Sequence, residues 1–255
     1  MKIKHGIFPS VAVLCTCLIS IYAAPGDDVD FLVGWLLEDS QRLNSVSFSS
    51  VVKASSGHSI LPIDQNSEVD SELLDAIGHV VDSCIEELNT SGHSIHQIGR
   101  INEVSRPIED YLLHALDAMD DLSCSIPLNA SGEHQRSGYP DLRIEHIESG
   151  RVFYLDPKVY RSGSERSGFR TFYFEPKLET NKILDNASHL ILGIAHSGKV
   201  DGRWQFDRWQ LVDLIDFKVR LKAEFQSSNR ELYRDNAVLR SGARKKAASK
   251  VEAAE

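Results

Sequence analysis

The chain has 255 residues, 42% of them hydrophobic and 25% charged, with 16 Gly, 8 Pro and 4 Cys. That composition excludes a collagenous, low-complexity or wholly disordered chain, and the Cys are too few for a disulfide-built scaffold. The net charge is -9, yet residues 1–130 hold 6 Lys/Arg against 19 Asp/Glu while residues 131–255 hold 22 against 18. The back half can therefore present a local positive field to a polyanion despite the acidic total.

Residues 1–24 combine Lys2 and Lys4, an apolar run from Ile7 and small residues at Ala23 and Ala24. This pattern predicts an export signal cut after Ala23, with a retained membrane anchor as the competing reading. Cys15 and Cys17 fall inside it. The remaining pair, Cys84 and Cys124, forms either one disulfide or two buried free thiols. An export signal implies a periplasmic or secreted protein without stable membrane association once it is removed; otherwise the protein is cytoplasmic.

Residues 28–43 read as a helix, with Phe31, Leu32, Trp35 and Leu36 on one side. Residues 44–67 are rich in Ser and Gly, with short β-branched runs near Val51 and Ile60. Residues 68–88 form an amphipathic helix, because Val69, Leu73, Ile77, Val80, Cys84 and Leu88 recur at helical spacing. A further helix lies between residues 95 and 122, which Pro107 either opens or kinks. The period then changes to two. Residues 141–147 and 151–160 flank Glu148-Ser149-Gly150, which predicts a β-hairpin. Residues 171–174 read as a short aromatic strand, 179–186 as a helix and 189–195 as a buried strand. Strict alternation over 217–226 predicts a strand with Lys218, Arg220 and Lys222 on one face. Residues 241–255 lack an apolar stripe and read as a tail.

The chemistry concentrates on the predicted hairpin. Asp141 opens its first strand; Asp156 and Lys158, two apart on the second, share a face. With the turn near Ser149, all three lie at the open end. Two carboxylates held together repel unless they bind a cation, and hard oxygen ligands select Mg2+, with Mn2+ also suited. A lysine beside them can position a water or stabilise charge on a phosphoryl oxygen. Pro157 is awkward there, since a central strand would miss its donor. A second candidate set, Glu175-Pro176-Lys177, ends the next aromatic strand.

Pro140-Asp141 and Asp156-x-Lys158 on a hairpin resemble the PD-(D/E)xK, or restriction-endonuclease-like, nuclease superfamily. The resemblance covers roughly residues 95–226 and implies an order of helix, three-stranded meander, helix and strand. It maps the meander onto 141–147, 151–160 and 171–174. It also implies a third acidic ligand from the first helix, for which Glu109 borders the apolar stripe and Glu103 is the other choice. Arg100-Ile101-Asn102-Glu103, Gln135-x-Ser137-Gly138-Tyr139-Pro140-Asp141 and Leu221-Lys222-Ala223-Glu224-Phe225 look like one branch of restriction-type endonucleases.

The expectation is an α/β protein: a restriction-endonuclease-like core with a central mixed β-sheet flanked by helices, and a helical N-terminal extension. Its parts are residues 1–24 (signal or anchor), 25–94 (extension), 95–240 (nuclease domain) and 241–255 (tail). The resemblance implies a Mg2+-dependent DNA endonuclease of type II restriction kind, in which Asp141, Asp156 and Glu109 bind the metal and Lys158 positions the attacking water. Lys218, Arg220, Lys222, Arg161 and Arg170 would meet DNA phosphates, and a homodimer is possible. The rival is a non-catalytic, exported nucleic-acid-binding or interaction protein on the same fold.

Overall fold

A computed structural model describes residues 25–38, 43–168, 172–222, 224–234 and 236–242. The expected signal at 1–24 and most of the expected tail lie outside them. Among the described residues no helix is long and apolar enough to cross a membrane. The chain divides into two compact units, residues 41–221 and a second unit of 1–40 with 222–255. In the second, the helix α1 spans Pro25–Glu38.

The larger unit begins with β1 (Val46–Ser47) and α2 (Phe48–Ser56), then α3 (Glu68–Leu88) and α4 (Ser105–Asp117). It continues through β2 (Leu122–Ser125), β3 (Leu142–His146), β4 (Arg151–Arg161), β5 (Ser188–Val200), β6 (Arg203–Asp213) and β7 (Lys218–Val219). A four-residue helix α5 (Asn229–Leu232) follows in the smaller unit. The helix expected over 68–88 is present with those bounds. The Ser67 hydroxyl accepts from the Asp70 N–H and so satisfies one donor of its first turn. Leu73, Ile77, Val81, Cys84 and Leu88 bury its apolar stripe. At its end Asn89 receives the Phe206 N–H and donates to the Phe206 carbonyl, both at 2.9 Å. One amide side chain thus pins the helix to β6 as a strand neighbour would.

The central sheet has the order β2-β3-β4-β5-β6. Neighbours are antiparallel except β4 and β5, which run parallel. The expected mixed sheet flanked by helices is therefore found. One face packs on α3 and α4 through Leu112, Leu116, Ile144, Phe153, Leu155 and Leu192. The other carries a second cluster around Phe48, with Val52, Tyr139, Tyr154, Ile183 and Leu214. Because α3 contributes to the first cluster, much of the 25–94 stretch belongs to the same compact unit as the sheet.

Several expectations need correction. The meander is β2-β3-β4, not one that ends on residues 171–174. Residues 172–174 are not a strand: Phe172 and Phe174 pack edge-on against Phe48, with ring centroids 5.1 and 5.4 Å away. Their aromatic content fills a core. No helix forms over 179–186, where side chains take the local backbone donors instead: Asn181 Oδ1 accepts from the Ile183 N–H, and Tyr154 Oη from those of Leu184 and Asp185. The helix between 95 and 122 shrinks to α4, preceded by two short 3-10 turns, and Leu122 belongs to β2. Val51, expected in a β-branched run, lies in α2. The strand expected over 217–226 is only two residues long, because its partner β1 offers no more than Val46 and Ser47. Cys84 and Cys124 are buried free thiols, each pushed up to about 12, by burial first and a nearby acid second.

Candidate active site

The sheet register builds the site. β3 and β4 pair antiparallel with Leu142 opposite Leu155, so one step further Asp141 faces Asp156. Residues directly opposite on neighbouring strands put their side chains on the same face, within reach of each other. Lys158 lies two positions along β4 and therefore on that face too. Beyond Leu155, β4 outruns β3 and is bordered by β5 alone, with Pro157 opposite Leu192. The proline thus occurs where one row of backbone donors has no adjacent strand, which removes the objection to it.

The ammonium of Lys158 sits between the two carboxylates. It makes an ion pair with Asp156 Oδ2, lies 3.5 Å from Asp141 Oδ2 and donates to the Pro157 carbonyl at 3.4 Å. The Asp156 side chain is 2% exposed and that of Asp141 13%. Apart from the ion pair, Asp156 Oδ2 has no hydrogen-bond partner. Burial first, then the charge of Asp141, pushes the Asp156 carboxyl up to about 8 against the pull of Lys158. Burial alone would lower the Lys158 ammonium, but Asp156 and Asp141 outweigh it and hold it above its ordinary value.

An open cleft of about 410 Å³ borders this group; Glu109, Lys158, Tyr160 and Arg161 are among its lining residues. Glu109, on α4, is raised above the usual carboxylate range by burial and then by Asp141. Among the described residues no three His, Cys, Asp or Glu side chains stand close enough to hold one ion, so Glu109 is not gathered with the two aspartates into a ready-made cage. Glu103 is exposed on a 3-10 turn and does not line the cleft. Glu175 and Lys177 form a half-exposed ion pair of 3.0 Å and line a different cavity, of about 290 Å³.

The predicted basic face is dispersed. Arg161 lines the cleft. Lys218 and Arg220 are exposed, but only Lys218 is in a strand. Lys222 pairs with Glu224 in the smaller unit. Arg170 lies outside the described residues.

Sequence reading missed two buried groups beside the aspartates. Tyr139, two residues before Asp141, is buried, and its hydroxyl is 2.8 Å from His189 Nδ1. Burial lowers His189 to about 3, so its imidazole is neutral. Lys182 is 1% exposed, and its ammonium donates to the Gln135 carbonyl at 3.2 Å. Lys182 lies in an irregular segment, where no periodic signal marks a buried position.

A model of the type II restriction enzyme MjaV family matches residues 42–236. The chain belongs to that family. The type II restriction enzyme MjaV of Methanocaldococcus jannaschii is 30% identical over 207 residues, covering 78% of this chain and 90% of that protein. The part shared with the MjaV family contains Glu109, Asp141, Asp156, Lys158 and Lys182, and leaves out residues 1–41.

Proposed function

We propose that this chain is a divalent-cation-dependent DNA endonuclease of the PD-(D/E)xK kind, hydrolysing phosphodiester bonds at Asp141, Asp156 and Lys158. The observation that carries this reading is one ammonium shared by two facing, nearly buried carboxylates, one of which has an oxygen with no other partner. Such an oxygen is costly to bury and is relieved by a cation. The donors are hard oxygens, the class that Mg2+ and Mn2+ prefer, so the residues present fit such an ion. Asp141 and Asp156 would hold it, with Glu109 as a further acid lining the same cleft. When bound, the ion supplies Lewis-acid stabilisation of the phosphoryl charge and a more acidic water.

The protein's own part follows from its charges. Asp141 and Asp156 hold Lys158 at the cleft, where its ammonium can fix a water by hydrogen bonding and offset charge on a phosphoryl oxygen. Arg161, on the same cleft wall, is suited to an adjacent phosphate of the duplex. Family membership supports DNA as the polymer, because the named relative is a type II restriction enzyme.

The test is cleavage of plasmid DNA by the full chain. Nicked or linear product is expected with Mg2+ and none with EDTA, and Lys158→Ala should remove the activity while leaving the fold intact. Cleavage that persists in EDTA, or in the folded Lys158→Ala protein, refutes the proposal.

A further inference from the structure

β5 and β6 fall out of step at one place. Ala195 pairs with Arg208 and His196 with Phe206, so Asp207 has no residue opposite it. Gly198 then pairs with Gln205, so Ser197 has none either. Each strand therefore carries a bulge, and the two adjoin. The apolar face of β6 changes phase at its own: Trp204 and Phe206 reach the core before Asp207, Trp209 and Leu211 after it. Bulges re-aim a side chain and are frequent beside active sites. Here the re-aimed Asp207 carboxylate receives two hydroxyls on one oxygen, Oδ2: that of Ser197 at 2.6 Å and that of Ser162. Ser162 follows the last residue of β4, so the second bond crosses the width of β5.

Ser162 belongs to a turn that walls the cleft. Its N–H donates to the His196 carbonyl at 2.9 Å, and the Arg161 carbonyl receives both the N–H and the hydroxyl of Ser164, at 2.9 and 2.6 Å. Glu165 pairs with Arg208, the neighbour of Asp207. Arg161 and Ser164 line the cleft beside Lys158, and Arg161 is exposed. An exposed arginine on a loose turn would lose affinity to the cost of ordering it, and a tethered turn avoids that cost. We propose that Asp207 is a positioning residue: through Ser162 it ties the turn 161–164 to β6 and so fixes Arg161 on the cleft wall for a DNA backbone phosphate. This deepens, and rests on, the reading of the cleft as the site of DNA cleavage.

The experiment measures affinity of the full chain for a fluorescent DNA duplex in EDTA, across a salt series, with thermal melts to establish folding. Asp207 is negative, so acting through its charge alone it would weaken binding to a polyanion, and its removal would tighten it. A tether predicts the opposite sign. Asp207→Ala and Ser162→Ala should each bind DNA about tenfold more weakly, the scale of one charge-assisted hydrogen bond. Each should also reduce the steepness of log K against log salt by about 0.9, the signature of one lost phosphate contact. Asp207→Asn keeps an acceptor oxygen and should stay close to wild type. Arg161→Ala should reproduce the loss, and adding Ser162→Ala to it should cost nothing further. If Asp207→Ala fails to fold, Ser162→Ala carries the comparison, since it leaves the Asp207 charge in place. Unchanged or tighter binding by the folded Ser162→Ala or Asp207→Ala protein overturns the tether, as does a further loss in the Arg161→Ala background or wild-type binding by Arg161→Ala. Wild type is assayed separately for plasmid cleavage with Mg2+. If it cleaves while these variants contradict the tether, only this inference falls; if it cuts no DNA, the reading of the cleft falls and this inference with it.

Discussion

β4 carries one ionic cluster at its start and another from its middle onward, and the two are built on opposite principles. At its start, Arg151 grips Asp70 through two bonds, Nε to Oδ1 at 2.8 Å and Nη2 to Oδ2 at 3.2 Å. The same guanidinium donates to Ser188 Oγ and the Pro62 carbonyl, and Asp70 also accepts the Asp64 N–H. Burial would raise the Asp70 carboxyl, but Arg151 and the backbone donor outweigh it and hold it below its ordinary value. Further along, Asp141 and Asp156 share a single lysine, and the Asp156 carboxyl is driven up. The first cluster satisfies each charge and joins α3 to the sheet. The second leaves two acids to share one lysine on the wall of a cleft. Burial alone does not separate structure from function here; the balance of partners does.

The comparison can be broken most forcefully at Lys158. Lys158→Ala should lower DNA cleavage by about 10³-fold, the scale for removing a group that stabilises developing charge. The melting temperature should stay close to that of wild type, because Asp156 can protonate. A cleavage assay beside a thermal melt checks both. Arg151→Met should do the reverse. It strands Asp70 with a buried charge and should cost about 3–5 kcal/mol of stability, read by urea unfolding. Asp70→Asn combined with Arg151→Met should cost less than the sum of the two single changes.

Acid and base should also separate the clusters. A raised carboxyl binds more protons in the folded state, so Asp156 makes the metal-free protein lose stability as pH rises from the unfolded value near 3.8 towards about 8. Asp156→Asn should flatten that decline in melts across pH. Asp70 has the opposite sign: its stabilisation is present above the unfolded pKa and is lost as pH falls through the depressed folded value. The smallest effect belongs to Glu175→Ala and Lys177→Ala. An exposed pair of this kind should change stability by less than about 1 kcal/mol and leave cleavage unaltered; loss of cleavage would move the site to that pair.

The hairpin was legible because alternation and a Glu-Ser-Gly turn fix its register, and register alone brings Asp141, Asp156 and Lys158 to one end. The helix α3 was legible because its whole apolar stripe is buried. β6 escaped notice although Asp201-Gly202, both at positive φ (50° and 77°), is a hairpin signal between β5 and β6. Its edge position leaves Arg203, Asp207, Arg208 and Gln210 exposed and puts Val212 in solvent as well, so its alternation is diluted. Residues 172–187 misled for another reason. They are apolar where they plug the Phe48 cluster and polar where they bond the local backbone, and neither use has a period. Lys182 lies in that stretch, and only its enclosure in three dimensions marks it out.

The most direct test of the central claim is a crystal structure of the protein grown with Mn2+ and duplex DNA, with the metal located by its anomalous signal. One Mn2+ is expected, bonded to oxygens of both Asp141 and Asp156 at about 2.1–2.2 Å, near the octahedral Mg2+ distance, with the Lys158 ammonium moved toward the DNA phosphate. Metal bound elsewhere, with Lys158 still locked between the two aspartates, would contradict it.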